Sequence, residues 1–479
     1  MIKKLLFSLT LTLFFLNVNS QNTQVWTKHN NNLGKITLDK SATRDNFPKV
    51  FQLFDLNINP LRQELFSVIN KGGKSTTIIS LPNADGQMEL FEVNDASNFD
   101  DELQAKYPEI RAYSGKGITD RYATLKLSIS PQGIQTMVFR TGKENEFIEP
   151  YSEDHSVYAV FKSQRSKSTD WNCSTAEEKA VMETTSRSAL GSNSIQSSAG
   201  QLKVMRLALS CNAEYANYFG ATSAAQSALV IAAFNNTLTR CNGVYEKDLG
   251  VHMNLVASTT NVIYYVASSD PYTTMANWNT QLQVALNTTL TGVGTTLAAN
   301  NAAYDIGHMF GKTGGGGNAG CIGCICVDGI AAGTGATKGR GITSPSNGIP
   351  SGDTFDIDYV VHEMGHQMGA NHTFSNSNEG AGVNKEVGSG VTIMGYAGIT
   401  NQDVASNSID IYHQTSIEQI QNNLATRPCI VTTNLVDNAT PVVQPVSDFT
   451  IPISTPFVLT GAATDANATD VLTYCWEQN

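Results

Sequence analysis

The sequence has no excess of basic charge and almost no long apolar run. Its 31 lysines and arginines are outnumbered by 42 aspartates and glutamates, which gives a net charge of −11. Such a chain offers no basic surface to nucleic acid or to anionic lipid. Beyond the first twenty residues, no apolar run approaches the length of a membrane span. We therefore predict a protein that neither binds nucleic acid nor inserts into a membrane.

The single extended apolar run lies at the N-terminus, in residues 5–18. Lys3 and Lys4 precede it, and small or polar residues follow it at 18–20. A positive start, a short apolar stretch and a small-residue cleavage site are typical of a secretory signal peptide. We assign residues 1–20 to a signal peptide and expect a secreted, extracellular protein.

Histidine is scarce, yet three of the eight histidines lie close together. Residues 362–372 read His-Glu-Met-Gly-His-Gln-Met-Gly-Ala-Asn-His, which is the spacing HExxHxxGxxH. At this chain's own residue frequencies, the spacing would arise by chance in roughly one such chain in 10^5. It is the extended zinc signature of the metzincin proteases.

This spacing fits the chemistry of a catalytic zinc site. Residues four apart share one face of a helix, so His362 and His366 can both offer a nitrogen to one Zn²⁺. Glu363 lies about 100° further round the helix, where its carboxylate can act as general base toward a zinc-bound water. Gly369 permits the positive φ that ends a helix and brings His372 to the metal as third ligand. Three protein ligands leave the fourth position to water, as in catalytic zinc sites.

A second motif follows the histidines. Residues 392–396 read Thr-Ile-Met-Gly-Tyr, which resembles the methionine turn beneath the zinc of metzincins, with Met394 as its apolar floor. Tyr396 occupies the place where astacin-like and serralysin-like enzymes carry a tyrosine that contacts the metal or the oxyanion of the intermediate. The alternative is a Tyr396 that simply packs in the lower part of the domain.

The stretch from about residue 201 to residue 429 resembles the reprolysin-like (adamalysin-type, M12B) metalloproteases, especially secreted bacterial ones. The zinc motif and the methionine turn carry the likeness, together with segments 304–310 and 338–342. The resemblance implies an α/β (α+β) metzincin-like zincin fold with a twisted mixed sheet and an active-site helix. It also implies one catalytic Zn²⁺ and a protein or peptide substrate. Thr373 departs from the family pattern, because adamalysins usually have aspartate directly after the third histidine, and a pappalysin-like protease is therefore the alternative.

Composition divides the chain on either side of this domain. Residues 21–187 are β-rich and hold no catalytic constellation, so we interpret them as a propeptide. A Ser-rich linker follows at 188–200, and Arg187 is a candidate processing site at its start. The predicted catalytic domain then spans residues 201–432.

The composition changes again after the catalytic domain. Residues 437–479 are rich in Thr, Val, Pro and Asp and resemble the first strands of an immunoglobulin-like or cadherin-like β-sandwich. A complete sandwich takes about 100 residues, so we expect this module to be incomplete and the parent chain to be longer. Asp465 and Asp470 could bind Ca²⁺ in such a module.

Within the catalytic domain, apolar repeats at 230–245 and 278–290 predict two helices. Segment 304–310 is expected to be the edge strand above the active site, where unpaired backbone groups let a substrate add as a further strand. The glycine run at 314–317 is interpreted as a flexible turn at that cleft.

Eight cysteines in an exported chain predict disulfides. The cluster at 321–326 superficially resembles a metal knuckle, but no second Cys or His pair lies nearby to complete four ligands. The resemblance to adamalysins implies that one member of the cluster bridges to Cys429. Six cysteines in the catalytic domain would allow three bridges: Cys211, Cys241, Cys321, Cys324, Cys326 and Cys429.

The two remaining cysteines are Cys475 and Cys173, and Cys173 lies in the predicted propeptide. A thiolate is a strong zinc ligand, so a propeptide cysteine can displace the water from a catalytic zinc and hold a zymogen inactive. Cys173 is a candidate for that role, and a buried thiol without a role is the alternative.

Together these features predict a secreted zinc endopeptidase, made as a zymogen, that hydrolyses peptide bonds with Glu363 as general base. We expect it to be a monomer. A catalytically silent binding or adhesion protein on the same fold is the alternative from another class. Such proteins typically lose the general base, whereas this sequence keeps Glu363.

Overall fold

The computed structural model describes residues 24–30, 36–44, 47–69, 75–163, 171–176, 200–331, 333–377 and 381–478. The predicted signal peptide, nearly all of the predicted linker and the candidate processing site Arg187 lie outside the described residues. Among the residues that are described, no helix combines the length and apolar character needed to cross a membrane.

The N-terminal part is built on an antiparallel sheet of nine strands, with the order β1-β2-β9-β8-β7-β6-β5-β4-β3. The strands are β1 (Trp26–Lys28), β2 (Gln52–Leu56), β3 (Thr77–Pro82), β4 (Met88–Asp95), β5 (Arg111–Gly117), β6 (Thr124–Ser130), β7 (Gly133–Phe139), β8 (Glu146–Pro150) and β9 (Val157–Lys162). Two helices accompany them, α1 (Ile58–Phe66) and α2 (Asp101–Lys106).

Both faces of this sheet are covered. On one face, Leu61 and Leu65 of α1 pack into an apolar cluster with strand residues such as Leu125 and Val160. On the other face, residues such as Met137 join the core of the following domain. Because side chains on both faces are buried, β6 and β7 read as nearly continuous buried runs and not as a polar and apolar alternation.

The second domain has a mixed sheet with the order β10-β14-β15-β13-β11-β12, and β16 also pairs with β11. These strands are β10 (Asn172–Cys173), β11 (Gln201–Cys211), β12 (Val251–Leu255), β13 (Ile306–Phe310), β14 (Gly316–Asn318), β15 (Gly341–Thr343) and β16 (Val431–Asn434). Its helices are α3 (Ala213–Tyr218), α4 (Ser227–Leu249), α5 (Met275–Thr289), α6 (Leu297–Ala302), α7 (His362–Met368) and α8 (Gln414–Ala425).

The two helices predicted from apolar repeats are present as α4 and α5, but the predicted edge strand was wrong. Strand β13 lies inside the sheet, in parallel with β11 on one side and β15 on the other. The outer strand of the catalytic domain is β14, which runs antiparallel to β15. The glycine run at 314–317 therefore supplies an edge strand and is not only a turn. An apolar segment such as 306–310 is favoured in an interior position, where both faces of the strand are buried.

The helix that carries the zinc motif begins as a π-helix. Residues Thr354–Val361 have π-helical hydrogen bonding, and α7 continues directly from them. This helix carries an apolar stripe that is fully buried and comprises Ile357, Val361, Met364 and Met368. A stripe of four residues fits either helix type, so the sequence pattern could not reveal the wider turn.

Two disulfides form among the eight cysteines, not three in the catalytic domain as expected. Cys321 bonds to Cys324, and Cys326 bonds to Cys429, which agrees with a bridge from the cluster to Cys429 and not with a metal knuckle. The other two cysteines of the domain, in β11 and in α4, are fully buried free thiols. They follow the core pattern of their strand and helix, where a cysteine serves as a small apolar residue.

The C-terminal residues are mostly exposed after β16. A short antiparallel pair, β17 (Val442–Val443) with β18 (Ala463–Thr464), is present there. The immunoglobulin-like module and its calcium site stay predictions.

Candidate metal centre

The three histidines of the zinc motif converge on one point. His362 and His366 lie in α7, which ends at Gly369 with φ of 130°, as the motif predicted. The chain then turns and brings His372 back, so that its Nε2 lies 3.0 Å from Nε2 of His366. All three rings are almost completely buried.

Backbone carbonyls fix the orientation of two of these rings. His362 donates from Nδ1 to the carbonyl of Ile393 at 2.7 Å, and His366 donates from Nδ1 to the carbonyl of Ala370 at 2.7 Å. These bonds set the tautomer and leave each Nε2 with a lone pair that faces the centre. Burial and the nearby His372 lower the pKa of His362 to about 3, so the ring is neutral. Nε2 of His362 is buried without a hydrogen-bond partner, as expected for a metal ligand.

Cys173 completes the cluster from the N-terminal part of the chain. Its Sγ lies 3.6 Å from Nε2 of His366, and the four possible ligand atoms all lie within 4.8 Å of one another. In a tetrahedral zinc site, the usual bond lengths place two nitrogens about 3.3 Å apart and a nitrogen and a sulfur about 3.6 Å apart. The cluster of three histidines and one cysteine therefore fits a Zn²⁺ ion in donor type, and the separations of 3.0 Å and 3.6 Å at His366 lie close to these lengths.

Cys173 reaches the histidines because its segment adds a strand to the sheet. Strand β10 pairs in parallel with the edge strand β14, with Asn172 opposite Gly316 and Cys173 opposite Gly317. Burial alternates along residues 171–176, so that Trp171, Cys173 and Thr175 point inward. The segment therefore occupies the edge of the cleft with every second side chain directed at the site.

Glu363 lies beside the cluster under this strand. Its Oε2 accepts a hydrogen bond from Oγ1 of Thr175 at 2.9 Å, while its buried Oε1 has no hydrogen-bond partner. Burial raises the pKa of Glu363 to about 7. A Cβ atom on Gly317 would lie 2.1 Å from Oε1 of Glu363, so the edge strand needs a glycine at this point. The glycines of this run leave room for the carboxylate against the strand.

The methionine-turn residue Met394 lies directly below the zinc helix. A Cβ on Gly365 would lie 2.8 Å from Sδ of Met394 and 2.9 Å from the ring of Tyr412. Tyr412 also donates a hydrogen bond to the carbonyl of Val361 at 2.7 Å. The position of Met394 against the middle of the motif agrees with a floor beneath the ligands.

Tyr396 lies next to the third histidine. The centroids of the rings of Tyr396 and His372 are 4.6 Å apart, and those of Tyr396 and His362 are 5.9 Å apart. The ring also packs at 4.4 Å from Phe374. The side chain is thus close enough to the cluster for a role in chemistry and is also part of an aromatic packing group.

A glutamate that sequence analysis missed explains how the chain tolerates Thr373. The buried Glu386 accepts hydrogen bonds from Oγ1 of Thr373 and Oγ1 of Thr392, and also from the backbone N–H groups of Val391 and Thr392. It thus ties the residue after the third histidine to the start of the methionine turn. No local spacing links Glu386 to the zinc motif, so this contact could not be predicted from the sequence.

A buried charge network, which the sequence also did not predict, lies behind the zinc helix. It joins two charges of the N-terminal domain, Arg44 and Glu149, to Arg240 of α4 and to Asp353 and Asp356 at the start of the π-helical segment. Glu149 accepts from Arg44 at 2.8 Å and from Arg240 at 2.8 Å, and Arg240 also pairs with Asp356 at 3.0 Å. Arg44 approaches Asp353 at 3.7 Å. The two arginines outweigh burial and lower the pKa of Glu149.

The fold and the metal centre agree with the comparison to known families. Residues 201–424 match the family model of the M12B metallopeptidases, described as reprolysin-like. This part of the chain is similar to that family, as the zinc motif and methionine turn predicted, and the match supports an enzyme that hydrolyses peptide bonds. No curated protein matches the chain.

Proposed function

We infer that the protein is a secreted zinc endopeptidase made as a latent precursor. In this proposal, residues 21–187 are the propeptide, and His362, His366 and His372 hold the catalytic Zn²⁺. Cys173 holds the fourth position until the propeptide leaves. The observation that carries the proposal is the buried cluster of three histidines and Cys173, with Glu363 beside it.

Glu363 is the proposed general base. When bound, Zn²⁺ acts as a Lewis acid that polarises the peptide carbonyl and lowers the pKa of a water. Glu363 has one oxygen without a partner and one that is held by Thr175 of the propeptide. Departure of this segment removes both Thr175 and Cys173 from the centre. The carboxylate can then accept a proton from the attacking water and pass it to the leaving amine.

Substrate would bind where the propeptide strand now lies. Strand β14 offers backbone groups at the edge of the sheet, and a peptide can pair with them as a further strand. A contact through the backbone does not depend on side chains, so it suits a protease that acts on extended protein segments.

The first test measures bound zinc and peptide hydrolysis by the processed protein. We expect one Zn²⁺ per chain, and we expect Glu363→Ala to keep the metal while kcat falls roughly 10²-fold or more. Retained activity in Glu363→Ala, or loss of the metal from it, would contradict the role of Glu363. Glu418→Ala, on α8, is the control, because it removes the same charge from a residue outside the cleft.

Tyr396 is the proposed donor to the negative oxygen of the tetrahedral intermediate. Such a bond is strong only when charge develops, so Tyr396→Phe should lower kcat and kcat/KM together, by roughly 10-fold to 10³-fold. Bound zinc and KM should stay near their starting values. If kcat is unchanged, Tyr396 is a packing residue beside Phe374 and His372.

A silent binding protein on this fold is the competing function. The presence of Glu363, buried beside the three histidines, favours an enzyme, since binding proteins on a protease fold typically lose the general base. Cleavage of a denatured protein mixture by the processed wild type, with no cleavage by Glu363→Ala, decides between the two.

A further inference from the structure

The N-terminal segment in the cleft places an aromatic ring in a pocket of the catalytic domain. The ring of Trp171 stacks face to face on Tyr359, with centroids 4.4 Å apart and an angle of 3° between the planes. Its edge meets His362 at 5.8 Å. The indole Nε1 donates to the carbonyl of Ser344 at 3.1 Å, and the side chain is only 4% exposed. We call the site formed by Tyr359, His362 and the carbonyl of Ser344 the aromatic pocket.

The walls of the aromatic pocket are held by the catalytic domain itself. Tyr359 lies in the π-helical segment that runs directly into the zinc helix. Ser344 follows β15 and is fully buried, and it is bonded to the edge strand at two points. Its N–H donates to the carbonyl of Gly316 at 2.9 Å, and its Oγ accepts from the N–H of Gly314 at 2.6 Å. The carbonyl of Ser344 thus keeps its direction without help from Trp171.

The pocket lies at a fixed distance from the metal centre. Trp171 and Cys173 are two residues apart on one extended strand, so their side chains point the same way about 7 Å apart. A peptide that pairs with β14 and presents its scissile bond at the metal would place an inward side chain at the pocket, within two residues of that bond.

We propose that this pocket selects substrates that carry a large aromatic residue, tryptophan best of all, within two residues of the scissile bond. The proposal rests on the proposed protease function and names its substrate class. The flat face of Tyr359 favours another flat ring, because offset stacking adds to the burial of the ring. The carbonyl of Ser344, once Trp171 has left, is a buried acceptor that needs an N–H donor. Of the large aromatic side chains, tryptophan supplies both the face and the N–H.

The test uses the full chain after propeptide cleavage and a set of fluorogenic peptides. The peptides share one sequence and differ at one position at a time. The varied positions are the two residues before and the two residues after the scissile bond, and each carries Trp, benzothienylalanine, Leu or Ala. At one of these positions, we expect kcat/KM for Trp to exceed that for Ala by 10-fold or more. Benzothienylalanine has the shape of Trp with sulfur in place of N–H, and should be cleaved roughly 2-fold to 10-fold less well than Trp.

Variants at Tyr359 separate the aromatic pocket from general activity. Tyr359→Leu should reduce the ratio of kcat/KM for the Trp peptide to kcat/KM for the Leu peptide by roughly 3-fold to 10-fold. Tyr359→Phe, which keeps the ring, should preserve this ratio. Cleavage of the Leu peptide by both variants reports whether the active site is intact. If an active enzyme cleaves all the peptides equally well, the proposed selectivity of the aromatic pocket is wrong, but the proposed protease function is not contradicted. A processed protein that binds zinc and cleaves no peptide would overturn the protease function itself.

Discussion

Two of the contacts between the N-terminal domain and the catalytic domain differ strongly from each other. In the cleft, the segment Trp171–Thr175 contacts the metal centre directly. Cys173 lies against His366, and Thr175 donates a hydrogen bond to Glu363. Behind the zinc helix, the contact is a network of buried charges. The first contact occupies the groups to which we assign the metal and the general base, and the second contact touches none of them.

The two contacts also differ in what they leave behind when the domains separate. The charge network crosses between the domains at Glu149 with Arg240 and at Arg44 with Asp353. It also holds one pair within the N-terminal domain, Arg44 with Glu149, and one pair within the catalytic domain, Arg240 with Asp356. Each side therefore retains an opposite charge, and the separation leaves no lone arginine. The cleft segment, by contrast, uncovers three histidines and a carboxylate oxygen that has no partner. In the proposed zymogen, latency and cohesion would therefore be carried by separate sets of residues.

The largest effect that we predict lies in the cleft. Cys173→Ala in the uncleaved precursor should raise peptide hydrolysis by roughly 10²-fold or more over the unaltered precursor, because the fourth metal position becomes open to water. Thermal stability should change little by comparison. The exposed free thiol provides a matched control, as Cys475→Ala, which should remain latent. A Cys173→Ala precursor that stays silent would show that the segment blocks the cleft sterically.

A substitution in the charge network should lower the stability of the precursor without raising its activity. Glu149→Gln removes the carboxylate between two buried arginines, and breaking a buried pair costs about 3–5 kcal/mol of unfolding free energy. Denaturant unfolding of the precursor should record this loss, with no gain in peptide hydrolysis. The exposed Glu153→Gln is the control in the same domain. Activity in the uncleaved Glu149→Gln precursor would mean that the charge network and the cleft segment are coupled.

The smallest effect concerns pH and a third, peripheral contact between the domains. Lys126 of β6 pairs with Glu246 of α4, which also binds His252 at 2.8 Å. Burial opposes the charge of Glu246, but Lys126 and His252 hold its pKa at about 2, below the ordinary 4.5. The stability from this lowered pKa is fully present above pH 4.5 and is lost as the pH falls through about 2.

Melting temperatures of the precursor between pH 7 and pH 2 test this contact. Wild type should be more stable than Glu246→Gln at pH 7, and the difference should shrink from pH 4.5 downward. The exposed Glu109→Gln should follow the wild type throughout. If the difference in melting temperature between wild type and Glu246→Gln stays constant down to pH 2, the titration of Glu246 is not its cause.

The zinc helix and the methionine turn could be predicted because their functional residues lie close together in sequence, at characteristic spacings. Four residues from His362 to His366 define one helical face, and Gly369 marks the end of that helix. The structure has both features, and Met394 lies where the turn motif placed it. A local pattern of this kind needs no knowledge of the rest of the chain.

The contacts that join distant segments could not be predicted in this way. Glu386 accepts a hydrogen bond from Thr373, the residue after His372, although it lies in a segment without a motif of its own. Glu149 and Arg240 meet only because two separate sheets and a helix are packed together. Cysteine counting likewise allowed three bridges, and packing decided that Cys211 and Cys241 stay reduced. Each of these outcomes depends on tertiary contacts between residues far apart in sequence.

The bond between Cys326 and Cys429 has a consequence for the durability of the enzyme. It closes a loop of 103 residues that contains the zinc helix, His372 and Met394. Closing a loop of this size removes about 4–5 kcal/mol of chain entropy from the unfolded state. A single cut inside this loop would leave the two pieces covalently joined around the metal, so a nicked molecule should lose activity more slowly than one whose fragments can drift apart.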